Sequence, residues 1–157
     1  MRVLIDGDAF PDINDIVLLC KKYHREVIIY VDTSHEIKSD YAKVVIVSEG
    51  SNAVDLVLEN NIKNSDLVLT RDYGVAVIAL SKKALCINQL GNFYTNDNID
   101  YLLEIKNINR KLRKTGKVKG PKKRSKMDKL RLLSNIEEVI KWKRKVRKIR
   151  KKILILE

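Results

Sequence analysis

Short, unbroken apolar runs alternate with stretches of helical period along the first part of the chain. RVLID (2–6), EVIIYV (26–31), KVVIVS (43–48), DLVLT (66–70) and ALCIN (84–88) are apolar on consecutive positions and too short for helices. That is the pattern of strands buried on both faces. Between them the period changes. From Pro11 onward Ile13, Ile16, Val17, Leu19 and Cys20 recur at helical spacing, with Asp12 and Asp15 near the start where a helix dipole favours acids. NAVDLVLENN (52–61) predicts a helix with Asn52 as its N-cap, and DYGVAVIALSKK (72–83) a helix capped by Asp72. Strands that alternate with helices in this way predict an α/β domain in three layers around a parallel sheet.

The pattern shifts after the fifth strand. GNFYTNDNID (91–100) predicts a polar loop, and IDYLLEIKNINRKLRKTG (99–116) a helix that turns basic toward its end. VKGPKKRSK (118–126) predicts a Gly-Pro hinge, followed by one long helix over 128–157 capped by Asp128. In that helix Leu132, Ile136, Val139 and Ile140 form a core-facing stripe, continued by Trp142, Val146, Ile149 and Ile153 among lysines and arginines. The expected organisation is a Rossmann-like α/β domain over 1–116 and a basic extension over 117–157, an appendage rather than an independent domain.

Charge sharpens that division. The chain of 157 residues has a formal net charge of +12. Residues 1–100 hold 10 Lys/Arg against 15 Asp/Glu, and residues 101–157 hold 22 against 5. An acidic first part with a basic last third predicts a polyanionic partner, so nucleic acid is expected along Arg110, Lys111, Arg113, Lys114, Lys122, Lys123, Arg124, Lys141, Lys143 and Arg144. Cys20 and Cys86 lie among apolar residues and read as reduced core thiols, which fits a cytoplasmic protein. No apolar run reaches the length of a transmembrane segment.

Candidate chemistry is found by asking which acids follow strands, because open parallel sheets bind ligands outside the carboxyl ends of their strands. Asp6 and Asp8 follow the first strand, Asp32 the second and Asp72 the fourth, while Asp55 lies in the first turn of the helix after the third. Asp66 precedes its strand and belongs to the opposite rim. Each of these has an ordinary reading, since Asp-Gly favours turns and Asp72 makes a good cap. Their convergence on one rim selects Asp6, Asp8, Asp55 and Asp72 as metal-holding and catalytic candidates. An all-oxygen set suits Mg²⁺ or Mn²⁺ rather than zinc, and a cation held there can promote phosphodiester cleavage. Asn88, Gly91, Phe93 and Tyr94 also follow a strand, the aromatic pair as candidates for base stacking. His24 and His35 are lone histidines, the second near the same rim.

LIDGDAFP, EGSNAVDLVL, SDLVLTRDYGVAVIAL, INQLGNFYTNDNI and KGPKK with Asp128 occur in this chain in the order seen in the YaiI/YqxD family of bacterial proteins, which it resembles over roughly residues 1–140. The resemblance implies a PIN-like fold, whose metal-dependent RNases use acidic residues at the carboxyl rim, and it points to the same Asp6, Asp8, Asp55 and Asp72. One departure is Phe10, which stands where the family usually has Cys, so a carboxylate mechanism is expected rather than one through a thiol.

The expected function is therefore a metal-dependent nuclease acting on RNA or another single-stranded nucleic acid. A non-catalytic nucleic-acid-binding protein on the same scaffold is the alternative, and a module that binds a partner or a second copy through the last helix is the third reading. Asp6-x-Asp8 is also the start of a haloacid-dehalogenase pattern, but no later acidic pair with lysine accompanies it.

Overall fold

A computed structural model describes residues 1–8, 10–48, 50, 52–116, 119–120 and 122–156, without the side chains of 143–150 and 153–156. Six strands, β1 (Arg2–Asp6), β2 (Glu26–Asp32), β3 (Lys43–Val47), β4 (Leu67–Leu69), β5 (Leu85–Ile87) and β6 (Phe93–Tyr94), form one sheet in the order β3-β2-β1-β4-β5-β6. All neighbours run parallel except β5 and β6. The polar loop expected over 91–100 thus contains a two-residue antiparallel strand. Its ladder has only Cys86 opposite Tyr94 and Ile87 opposite Phe93, too short for a period to register.

The register explains why the strands are apolar throughout. Val3 lies beside Val27 and Leu67, and Leu4 beside Ile28 and Val68, so odd and even positions feed opposite faces. On one face Val3, Ile5, Val27, Ile29, Leu67, Leu69 and Ile87 pack with α1 (Ile13–Lys22) and with Leu132, Ile136, Val139 and Ile140 of α5 (Lys126–Leu156). On the other, Leu4, Ile28, Tyr30, Val68 and Cys86 pack with α2 (Ala53–Asn61), α3 (Tyr73–Ser81) and the start of α4 (Ile99–Lys114). These are the three layers expected. The predicted core stripe of the last helix is fully part of the first face, with Leu132, Ile136 and Ile140 sealed from solvent. Its continuation through Val146, Ile149 and Ile153 lies outside the described side chains. Cys20 and Cys86 are both free and buried, and burial raises both thiols well above the ordinary range.

Helix caps depart from expectation at two places. Asn52 precedes α2 in a left-handed conformation and makes no side-chain cap. At the last helix the cap is Ser125, whose Oγ accepts from the Asp128 N–H at 3.2 Å, while Asp128 Oδ2 accepts from the Ser125 N–H at 2.8 Å. That is a reciprocal capping box, so Asp128 marks the third helical position and the helix starts two residues earlier than its acid suggests. Asp72 does cap α3, accepting from the Val75 N–H at 3.0 Å. Among the described residues no helix is long and apolar enough to cross a membrane.

Candidate functional site

Successive crossovers carry the chain outward from β1 to β3 on one side and from β4 to β6 on the other. The topological switch therefore falls between β1 and β4, where sheets of this kind open a crevice at their carboxyl rim. Asp6 ends β1 at that crevice and is buried. Gly7 turns the chain away, and no other residue fits: a Cβ there would stand 2.6 Å from Val31 Cγ1 and 2.7 Å from Ile29 Cγ2. The Asp-Gly pair is thus dictated by the close pass of β1 over β2, as well as by its turn.

Across the switch, the fully buried Thr70 joins two of the acids. Its hydroxyl donates to Asp6 Oδ2 at 3.1 Å and accepts the Asp72 N–H at 3.0 Å. Burial raises the Asp6 carboxyl above its ordinary value, the charges of Asp8 and Asp72 push the same way, and the Thr70 hydrogen bond opposes them. Asp55, in the first turn of α2, is pushed up to about 6, first by burial and then by Asp6, Asp72, Glu59 and Asp8. The charges of Asp8 and Asp72 thus reach both Asp6 and Asp55, so the four carboxylates share one field. Hard carboxylate oxygens under mutual repulsion suit a small divalent cation, whose charge relieves the repulsion.

The tightest donor set is a different one. Among the described residues, Asp8, Asp32 and His35 form the set whose possible ligand atoms all lie within 4.8 Å of one another. Asp8 Oδ1 accepts the Asp32 N–H at 3.0 Å and lies 3.3 Å from His35 Nδ1. Asp32 Oδ1 accepts from the Ser34 N–H at 2.8 Å and stands 2.9 Å from His35 Nδ1. Hydrogen bonds from Ser34 and His35 hold Asp32 down at about 2, and Asp32 raises His35. Sequence reasoning had set Asp32 and His35 aside. The available signal was Asp-Thr-Ser-His directly after a buried strand, a turn that folds the histidine back onto its own carboxylate. Asp66 does sit at the far rim, paired with Arg2 at 2.6 Å. His24 closes α1 in a left-handed, exposed position.

Two cavities border the rim. One, about 540 Å³, is lined by Pro11, Arg71, Gln89, Leu90, Lys122, Lys123, Arg124, Ser125 and Asp128. The other, about 440 Å³, is lined by Arg71, Tyr73, Gln89, Ile105, Lys106, Asn109, Arg113, Lys119 and Gly120. Arg71 and Gln89 belong to both, so a groove with seven cationic neighbours passes the residue next to Asp72. Of the basic residues expected to meet nucleic acid, Lys122, Lys123, Arg124 and Arg113 line this groove. Arg110, Lys111 and Lys114 are exposed on α4 outside it, and Lys141 pairs with Glu137 at 2.9 Å. The side chains of Lys143 and Arg144 lie outside the described residues. Lys119 lines the groove too, from the basic run 118–126, while Arg71 and Lys106, isolated cations in the sequence, are additions.

The loop after β5 brings Gln89 into the groove. Asn88 Oδ1 accepts the Leu90 and Asn92 N–H groups at 2.9 and 3.0 Å, closing the turn. Arg124 donates to Gln89 O at 2.8 Å, Arg131 to Leu90 O at 3.0 Å and Asn135 to Gly91 O at 2.7 Å. Gly91 has φ 85° and lies so close to α5 that a Cβ would stand 2.4 Å from the Leu132 nitrogen. Arg124 is further fixed by Asp12 at 2.6 Å, so it braces the loop. Neither ring of this segment lines the groove: Tyr94 is buried edge-on to Tyr73, and Phe93 lines a separate cavity with Val139 and Trp142.

Residues 4–142 match the profile of the uncharacterised YaiI/YqxD family. A UPF0178 protein of Clostridium kluyveri is 45% identical over 141 residues, covering 89% of this chain and 93% of the relative. UPF0178 proteins of Lachnoclostridium phytofermentans, 41% identical over 145 residues (90% and 97%), and of Clostridium perfringens, 43% over 141 residues (89% and 95%), are similar. No solved structure matches the chain.

Proposed function

The chain belongs to the uncharacterised YaiI/YqxD family, and from that premise we propose that it is a metal-dependent nuclease of PIN-like architecture that cleaves RNA or another single-stranded nucleic acid. One observation carries this reading. Asp6, Asp55 and Asp72 come from three separate strand-to-helix connections, share one field at the switch point, and adjoin a cationic groove at Arg71.

In this reading Asp6, Asp8, Asp55 and Asp72 hold Mg²⁺ or Mn²⁺, and the ion supplies Lewis-acid polarisation of a phosphate and activation of water when bound. The protein's own residues do the rest. Thr70 fixes the Asp6 carboxylate and the start of α3 together, so two donors from opposite sides of the crevice keep a set separation. Lys122, Lys123, Lys119 and Arg113 seat the phosphate backbone, and Arg71 with Gln89 hands it past the carboxylates. No base-reading element is visible, so contacts to phosphate and sugar dominate and sequence preference is expected to be weak.

The test uses labelled RNA and single-stranded DNA with Mn²⁺ or Mg²⁺, beside Asp6→Asn and Asp72→Asn. Asparagine still accepts from Thr70 and still caps α3, so both variants should fold. Cleavage should fall at least about 100-fold in each. Activity untouched by both substitutions, or absent with every substrate and metal, refutes the reading. The groove alone favours a second reading, non-catalytic nucleic-acid binding. It predicts salt-sensitive binding that survives Asp6→Asn, without cleavage.

A further inference from the structure

Helix α4 has two apolar faces, and only one of them is used. Ile99, Leu102 and Leu103 turn to the core, while Tyr101, Ile105, Ile108 and Leu112 repeat at spacings of four, three and four on a face rotated away from it. Three of those four are exposed, Tyr101 by 63%, Ile108 by 44% and Leu112 by 36%. The spacing is that of a coiled-coil seam. The residues that flank such a seam on one side are Glu104 and Lys111, both exposed and, among the described residues, in no ion pair.

We infer that this face of α4 binds the same face of a second copy, antiparallel about a two-fold axis through the middle of the helix. Antiparallel pairing layers Tyr101 on Leu112 and Ile105 on Ile108, twice each, with no unmatched apolar residue. It sets Glu104 against Lys111 of the second copy and, by the two-fold, Lys111 against Glu104. The acidic first turn with Asp100 meets the basic last turn with Lys111, Arg113 and Lys114, and the helix dipoles oppose. In parallel pairing Glu104 and Lys111 would face Asn109 and Gly116 of the second copy, and neither charge would meet its opposite. Charge complementarity thus selects both the occupant and its direction. A seam of four turns is small, so affinity is of the order of micromolar. Ile105 also lines the cavity that Lys106, Asn109 and Arg113 border, so the seam and the groove adjoin along one edge of α4.

Sedimentation of the full chain from about 1 to about 200 µM reads the mass directly. The expected result is a reversible doubling of mass. Ile108→Asp abolishes it, and Glu104→Lys or Lys111→Glu alone weakens it at least about tenfold. The double swap Glu104→Lys with Lys111→Glu restores it to within about threefold, because the isologous pair is simply reversed. All three positions face solvent, and circular dichroism checks that each variant folds. A monomer at every concentration overturns the inference. So does a dimer indifferent to Ile108→Asp, or a double swap that fails to recover.

Discussion

Replacing Thr70 by Val tests whether the acids across the switch are mechanically coupled. Valine keeps the shape of the side chain at a position sealed from solvent, so packing changes little. The hydroxyl, however, makes two bonds, donating to Asp6 Oδ2 and accepting the Asp72 N–H. Losing the acceptor strands a partly buried N–H at the start of α3, at a cost of about 1 kcal/mol that does not depend on pH. Losing the donor leaves a buried carboxylate without its partner, at a cost of about 1.5–3 kcal/mol while Asp6 is ionised.

The sign of the pH dependence follows from the direction of the Asp6 shift. Its folded value is raised above the ordinary carboxylate range, chiefly by burial, and the hydroxyl is what holds it from rising further. Without the hydroxyl the folded value climbs, so the folded state binds a proton over a wider pH span than the unfolded state. The added destabilisation is absent at acidic pH, where Asp6 is protonated in both proteins, and develops as pH rises through the two folded values. Thermal melting in chelator at about pH 3, below the ordinary carboxylate value, and at about pH 8 should therefore show a loss of about 2–4 °C at the lower pH and about 5–12 °C at the higher. Thr70→Ser, which keeps the hydroxyl, should show no such divergence. Equal losses at both pH values would mean that Thr70 acts only as a helix-start acceptor, and the coupling of Asp6 to Asp72 would fall.

Three further outcomes follow from the same geometry. Asp55→Asn should stabilise the metal-free protein by about 1 kcal/mol at pH 8, after screening at its half-open position, and by almost nothing near pH 3, because the cost of a raised carboxylate develops between its ordinary value and its folded value of about 6; with saturating Mn²⁺ the order should reverse, as the wild type gains binding energy that the variant lacks, and a melting series with and without chelator reads both signs. Gly7→Ala drives a Cβ into Val31 and Ile29, so urea unfolding should show a loss of about 1–3 kcal/mol although Ala loses less backbone entropy on folding than Gly. Neutralising Lys122 and Lys123 together to Gln should lower the slope of log affinity for single-stranded RNA against log salt by about 1.4, while neutralising exposed Arg110 and Lys114, outside the groove, should leave it nearly unchanged.

How far each of these features could be read from residues alone depended on whether it was periodic. Strands β1 and β2 announced themselves because both faces of the sheet are covered, which makes every position apolar. The acid positions then followed from topology, since a carboxylate one residue past a buried strand has nowhere to be but the rim. What period could not carry was any contact made by folding a turn back on itself. His35 reaches Asp32 three residues away and Asp8 across a strand, and nothing in their spacing distinguishes them from loop residues. Ser125 was hidden for a related reason: in a reciprocal cap the acid is the louder signal, yet it is the serine that stops the chain. Arg71 and Lys106 were isolated cations in sequence and came together only when the turn after β4 and helix α4 lined one cavity.

The division of the chain into an acidic and a basic part also takes on a different physical meaning in three dimensions. Seen as charge alone, the last third is a tail that offers phosphate contacts. Its structure-bearing residues, however, are the uncharged and the hydrogen-bonding ones. Leu132, Ile136 and Ile140 complete one face of the sheet, and Arg124, Arg131 and Asn135 hold three consecutive carbonyls of the loop after β5. That loop carries Gln89 into the groove beside Arg71, and Arg71 precedes Asp72. A cation in the basic segment thus has one of two duties, bracing the rim or facing the groove, and its pairing shows which. Arg124, bound to Asp12 and Gln89, and Arg131, bound to Asp128 and Leu90, brace. Lys122 and Lys123 face the cavity. The positive charge that would draw a polyanion and the residues that brace the loop beside the rim are therefore interleaved along one short segment, so the groove and that loop are set by neighbouring positions of the same stretch.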